Sequence, residues 1–250
     1  MLRSHPVLVQ LSRVWRLSGR WLPNGWLDAI RQLALFAGAY YLYRIVRGFV
    51  DGQAGLAFEN ARHLVDAERS LGLFFEPGLQ AWAEGQEWIL TFANWMYVNS
   101  HFVITTTFLI WLYIARNHAF YFVRNMFLVA MGLALVGYMA YPTAPPRFMP
   151  EWGFTDSVAS FVGESAEGTA NVLYNPFAAV PSMHIGYALL VGFVVATTAS
   201  NRWLRLVGAL YPPFRLFDIV ATGNHFVFDA AAGALVTAAS WWAATRLERA

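Results

Sequence analysis

The chain contains no cysteine and no lysine; all 17 basic residues are arginine. Without cysteine, disulfides and thiolate chemistry are excluded. Charge is scarce as well. Charged residues make up 13% of the 250 positions and hydrophobic residues 58%, against roughly 25% charge in a soluble domain. Together with a positive mean hydropathy, this points to the lipid bilayer. The arginines are dispersed rather than gathered in one stripe, so no nucleic-acid partner is expected. The chain shows no internal repeat and no low-complexity tract.

Six stretches approach the roughly 20 apolar residues that a spanning helix needs: about 29–49, 89–114, 121–141, 184–200, 203–222 and 225–243. Segments 1–25, 115–124, 200–206 and 244–250 hold ten arginines and one acid, whereas loops 51–87 and 142–182 hold three arginines and eleven acids. The positive-inside rule then places both termini in the cytoplasm and both long loops outside. Arg44 and Arg47, at the outer end of the first stretch, weakly disobey it. Residues 1–25 lack a clean apolar core and a small-residue cleavage site, so they are not read as a signal peptide. Arg13, Arg16 and Arg20 share one helical face, which predicts a short basic helix on the cytoplasmic membrane surface; a disordered tail is the alternative. The expected organisation is this basic segment, 1–25, followed by one transmembrane domain, 26–250.

Loop 51–87 has its own pattern. Phe58, Ala61, Leu64, Val65 and Leu71 recur at helical spacing, with Glu59, Arg62, Asp66, Glu68 and Arg69 between them. This predicts an amphipathic helix on the outer leaflet, broken at Glu76-Pro77-Gly78. Loop 142–182 opens with Pro142, Pro145 and Pro146, which end the helix before it.

Three short segments at the outer ends of these helices carry chemistry: Tyr141 to Arg147, Asn175 to His184, and Thr222 to Asp229. Ser182 precedes an apolar run and is an expected N-cap; a helix N-terminus is an anion site. His184 falls in the first turn beside it. His225 and Asp229 are four apart and, on a helix, share a face. A carboxylate that accepts one imidazole proton fixes the tautomer and frees the other nitrogen to attack phosphorus. The alternative is a structural ion pair. The Arg147 guanidinium matches phosphate oxygens in a fork.

Pro-Pro-Arg147, Pro181-Ser182-Met183-His184 and His225-Phe-Val-Phe-Asp229 resemble the signature of the type 2 phosphatidic acid phosphatase (PAP2) superfamily. The likeness runs from about residue 55 to 243 and is closer to the branch containing inositol phosphorylceramide synthases. It implies an all-α membrane protein, about six spanning helices in a PAP2-like bundle with amphipathic interfacial helices. It also implies a site without metal or other cofactor. His225 would be the nucleophile, forming a phosphohistidine. Asp229 would orient it, and His184 would protonate the departing oxygen. Arg147 and Ser182 would hold phosphoryl oxygens, with Asn175 in the same phosphate-binding set.

Two positions depart from the family pattern. Ala140 stands where the family has lysine, and Ile219 where it has arginine. A site with fewer cations suits a singly charged diester, which favours transfer of a phospholipid headgroup (inositolphosphotransferase-like) over hydrolysis of a lipid phosphate. Arg215, one turn before Ile219, is a candidate replacement, unless it and Asp218 only neutralise each other. Asn94, Tyr97 and His101 form a polar stripe that either lines the headgroup pocket or bonds helices together. The expected partners are the bilayer and a phospholipid from the outer leaflet. The alternatives are a PAP2-type lipid phosphatase and, in another class, a lipid transporter or scramblase. Histidines gathered at one face rather than across the midplane count against a carrier.

Overall fold

The computed structural model describes residues 22–163 and 177–249, and its regular elements are helical. In chain order they are α1 (Gly25–Val50), α2 (Ala54–Ser70), α3 (Glu76–Glu84), α4 (Glu87–Ala115), α5 (Asn117–Ala140), α6 (Ser157–Val162), α7 (Met183–Thr198), α8 (Arg202–Ala221) and α9 (Val227–Leu247). The basic positions of the N-terminal segment and Asn175 lie outside the described residues.

Six of these helices match the six apolar stretches, each end within four residues. Three of them, α4, α5 and α9, are long and apolar enough to cross a membrane. Helix α7 is apolar but has only 16 residues, a rise of about 24 Å. Helices α1 and α8 are long but carry charges, among them Asp28 and Arg31 on the first and Arg215 and Asp218 on the second. The break between α4 and α5 falls at Arg116, which leaves helical geometry at φ −137°. Pro142 follows the end of α5, because the residue before a proline is pushed out of the helical region.

Helix α9 packs against α5 and α7, and α7 lies closely along α8. Phe120, Val123, Met126, Phe127 and Ala130 of α5 form one core with Tyr187, Leu190, Val191 and Val194 of α7. The contact that positions the site is nearer the start of α9. A Cβ at Gly233 would lie 2.2 Å from the Ser182 carbonyl oxygen. Only glycine lets the two backbones come so close. The approach allows Ser182 N–H to donate to the Asp229 carbonyl (2.9 Å) and Thr237 Oγ1 to donate to the Gly186 carbonyl (3.0 Å).

Segment 51–87 differs from its sequence reading in two ways. The first helix there ends at Ser70, and Gly72 makes the turn with φ +69°. Glu76-Pro77 begins α3 instead of breaking a helix, since proline fits a first turn whose N–H groups are unpaired anyway. The apolar face of α2 also has a protein partner. Ala57, Ala61, Leu64 and Val65 pack on Ala144, Met149, Phe154 and Phe226. Helix α2 therefore covers the segment that leads into α9, and its buried face is not the one left for lipid.

Gly233→Ala is expected to cost about 1–3 kcal/mol, because the added methyl group overpacks the α7–α9 contact. Thermal unfolding in detergent measures this, and an unchanged midpoint would show that the helices part without cost.

Candidate functional site

Backbone hydrogen bonds bring the three segments together. Thr143 N–H donates to the Phe177 carbonyl (2.9 Å), and Ala179 N–H donates back to the Thr143 carbonyl (3.3 Å). Arg147 N–H donates to the Gly223 carbonyl (2.7 Å). Gly223 has φ +66°, and a Cβ there would meet the Gln80 amide at 2.8 Å. That glycine turn lets the chain reverse after α8 and present Asn224 and His225 beneath α3.

His225 is not on α9, contrary to the sequence reading; the helix starts two residues later. The pair forms by another route. Asp229 is the third residue of α9, and its side chain reaches back in a capping arrangement. Its Oδ2 accepts the Phe226 N–H (2.9 Å) and lies 3.2 Å from His225 Nδ1. Asp229 is fully buried and His225 nearly so. A proton on Nδ1 held by this carboxylate leaves the Nε2 lone pair free. Nε2 lies 3.3 Å from His184 Nδ1, so His184 donates in that contact.

His184 is half-buried in the first turn of α7. Tyr97 stacks on it with ring centroids 4.6 Å apart, and His101 lies at the same distance on a tilted ring. His101 stacks in turn on Tyr187. Two members of the polar stripe on α4 thus face the histidines. The third bonds helices: Asn94 Nδ2 donates to the Ser157 carbonyl (3.2 Å), and Asn94 Oδ1 accepts from Ser157 Oγ (3.0 Å).

Ser182 is the N-cap of α7, as expected, but its side chain makes no capping bond. Its Oγ is fully buried and has no hydrogen-bond partner among the described residues. Arg147 is buried, with Nε 3.4 Å from Asp156 Oδ2 and Nη1 donating to Asn224 Oδ1. Arg215 pairs with Asp218, as one reading of the sequence held, and also donates to the Met96 carbonyl (3.1 Å). Its Nη2 is buried without a partner among the described residues, and its charge acts on both His101 and His184. A surface groove of about 660 Å³ is lined by Trp88, Phe92, Trp95 and Phe161 and does not include the histidines.

Sequence reasoning gave no role to Asn224 and Asp156, which hold Arg147, or to Glu68 and Glu76. Glu68 was read as part of the polar face of α2, yet it lies fully buried. The signal was present, because position 68 continues the buried series 57, 61, 64 and 65 at helical spacing.

Fold and site define an all-helical protein with apolar helices of membrane-spanning length and a His–His–Asp line at one end of the bundle. The family model described as the PAP2 superfamily matches residues 62–243. The chain belongs to the PAP2 superfamily, whose members are generally phosphatases or phosphotransferases, and membership supports a function of that type on a lipid phosphate. No curated protein and no solved structure matches the chain.

In Asp229→Asn the amide oxygen takes the place of Oδ2 and keeps both the Phe226 N–H bond and the His225 Nδ1 contact, but the negative charge that holds the Nδ1 proton is lost. Turnover of a lipid phosphate should fall by at least about 100-fold with little change in unfolding temperature. Activity within a few fold of wild type would show that the carboxylate is structural.

Proposed function

We propose that the protein is an integral membrane phosphotransferase. It moves a phosphorylated headgroup from a phospholipid to a lipid hydroxyl through a phosphohistidine on His225. The observation that carries this reading is the Asp229–His225–His184 line, with contacts of 3.2 and 3.3 Å. Asp229 accepts the Nδ1 proton, and the Nε2 lone pair attacks phosphorus. The bond from phosphorus to the departing lipid oxygen breaks, and that oxygen takes a proton from His184. The acceptor hydroxyl then attacks the phosphohistidine, gives its proton to His184 and releases His225. Substrate entry replaces the direct contact between the two imidazoles.

Arg147 and the unpartnered Ser182 Oγ hold the phosphoryl oxygens in this reading. Arg215 stands in for one of the family cations absent at Ala140 and Ile219, with His101 beside it. Charge balance favours a diester. Arg147 is paired with Asp156 and Arg215 with Asp218, so the arginines leave little positive charge in excess. A phosphate monoester carries close to two negative charges at neutral pH, and a diester carries one. Family membership favours a second reading, in which water replaces the lipid acceptor and phosphate is released from a lipid monoester.

The arginine distribution supports six spans in the cell membrane, both termini in the cytoplasm and the site outside. Three of those helices, α1, α7 and α8, then depend on neighbouring helices to cover charge or to offset short length.

Purified protein given a labelled phosphodiester lipid with diacylglycerol, or phosphatidic acid alone, separates the two reactions. Headgroup transfer that drops at least about 1,000-fold in His225→Ala supports the diester reading. Free phosphate from phosphatidic acid alone identifies a phosphatase. The cysteine-free chain also suits topology mapping. An impermeant thiol reagent on intact cells is expected to label Ser70→Cys but not Ser200→Cys, and the reverse pattern would invert the orientation.

A further inference from the structure

The start of α9 is closed by three acids. Asp229 Oδ2 accepts the Phe226 N–H (2.9 Å), Glu76 Oε1 accepts the Val227 N–H (3.2 Å), and Glu68 Oε1 accepts the Phe228 N–H (2.9 Å). All three carboxyl groups are fully buried. Among the described residues their second oxygens, Glu68 Oε2, Glu76 Oε2 and Asp229 Oδ1, have no donor. The nearby arginines are engaged elsewhere: Arg62 with Glu151, Arg147 with Asp156, Arg215 with Asp218, and Arg69 over the rings of Phe74 and Trp152.

Three full negative charges do not fit here. The positive end of a helix supplies only about half a charge, and an unpaired buried carboxylate costs several kcal/mol. Glu76 and Glu68 hold the N–H groups of consecutive residues, Val227 and Phe228, so the two carboxyl groups lie side by side. One proton between them satisfies both second oxygens and removes one charge. We infer that Glu68 and Glu76 are positioning residues, a proton-sharing carboxyl pair that fixes the start of α9 and so sets the aim and the electrostatic surroundings of the His225–Asp229 couple.

The titratable groups facing Glu68 are Glu76 from α3 and Asp229 from α9, with His225 on the far side of Asp229. Burial is the largest influence on Glu68. The Phe228 N–H opposes it, and Glu76 and Asp229 reinforce it, so that the Glu68 carboxyl is pushed up to about 8. The folded protein therefore holds a proton that the unfolded chain releases above its ordinary value of 4.5. The stability this group contributes is full below that value and is lost as pH rises through about 8. Above that, a second charge arrives beside Asp229.

The inference rests on the phosphohistidine reading only for turnover; its effect on stability stands apart from it. The test follows unfolding temperature and turnover across pH 5–9 for wild type, Glu68→Gln and Glu68→Ala. Gln mimics the protonated acid: its oxygen accepts from Phe228 and its amide donates to Glu76. Wild type is expected to lose unfolding temperature with rising pH, and Glu68→Gln to lose less. Glu68→Ala should lower turnover at neutral pH at least tenfold. Glu68→Gln should restore most of it and remove a fall in rate above about pH 8. If Glu68→Ala does not accumulate, wild type against Glu68→Gln decides. An unfolding profile of the same slope in wild type and Glu68→Gln overturns the proton-sharing pair. Absence of His225-dependent turnover overturns the phosphohistidine reading instead and leaves the unfolding profiles to judge the pair.

Discussion

The burial of Asp229 in the first turn of α9 is the constraint on which the site depends. A carboxylate in that position is tolerated only if its surroundings are polar and fixed. Its side chain accepts the Phe226 N–H and meets His225, while its backbone carbonyl accepts from Ser182. One residue thus ties the histidine of one segment to the N-cap of the neighbouring helix. The bare Cα of Gly233 one turn later makes room for that tie. In an apolar bundle each such bond is hard to replace, because no water is at hand to take over a lost partner.

Charge around the histidines is nearly self-cancelling. Arg147 and Arg215 each lie against an aspartate, and the acids at the head of α9 share the partial charge of a helix terminus. A site built this way does not draw in a multiply charged anion by net attraction. In the proposed function it selects by placement, through the Ser182 hydroxyl, Arg215 and the His184 ring held by Tyr97, and that reading prefers a diester whichever lipid carries the group.

Helices α2 and α3 act as a roof over the reacting end. The apolar residues of α2 close over Met149, Phe154 and Phe226, and one buried glutamate from each helix binds the start of α9. A segment that reads as a surface helix is therefore part of the catalytic architecture in the proposed function. Its remaining exposed residues, Leu71, Phe75 and Trp82 among them, are left to meet lipid.

The six long helices and the three polar segments were legible from the order of residues. Long apolar runs between prolines and arginine clusters leave few other structures in a bilayer, and six helix positions followed within four residues. The His225–Asp229 pairing was legible from spacing, although the reason was not: His225 precedes the helix, and a capping turn rather than a helical face brings the two together. Position 68 shows the opposite case. Its helical phase marked it as buried, but a glutamate there reads as surface until the N-terminus of α9 is known to lie against it. Packing between distant segments decided that the Ser182 side chain would cap nothing, that Asn224 and Asp156 would hold Arg147, and that Arg215 would donate to the Met96 carbonyl. Periodicity reports which face of a helix avoids water; it carries no information about which distant backbone N–H or charge will be waiting on that face.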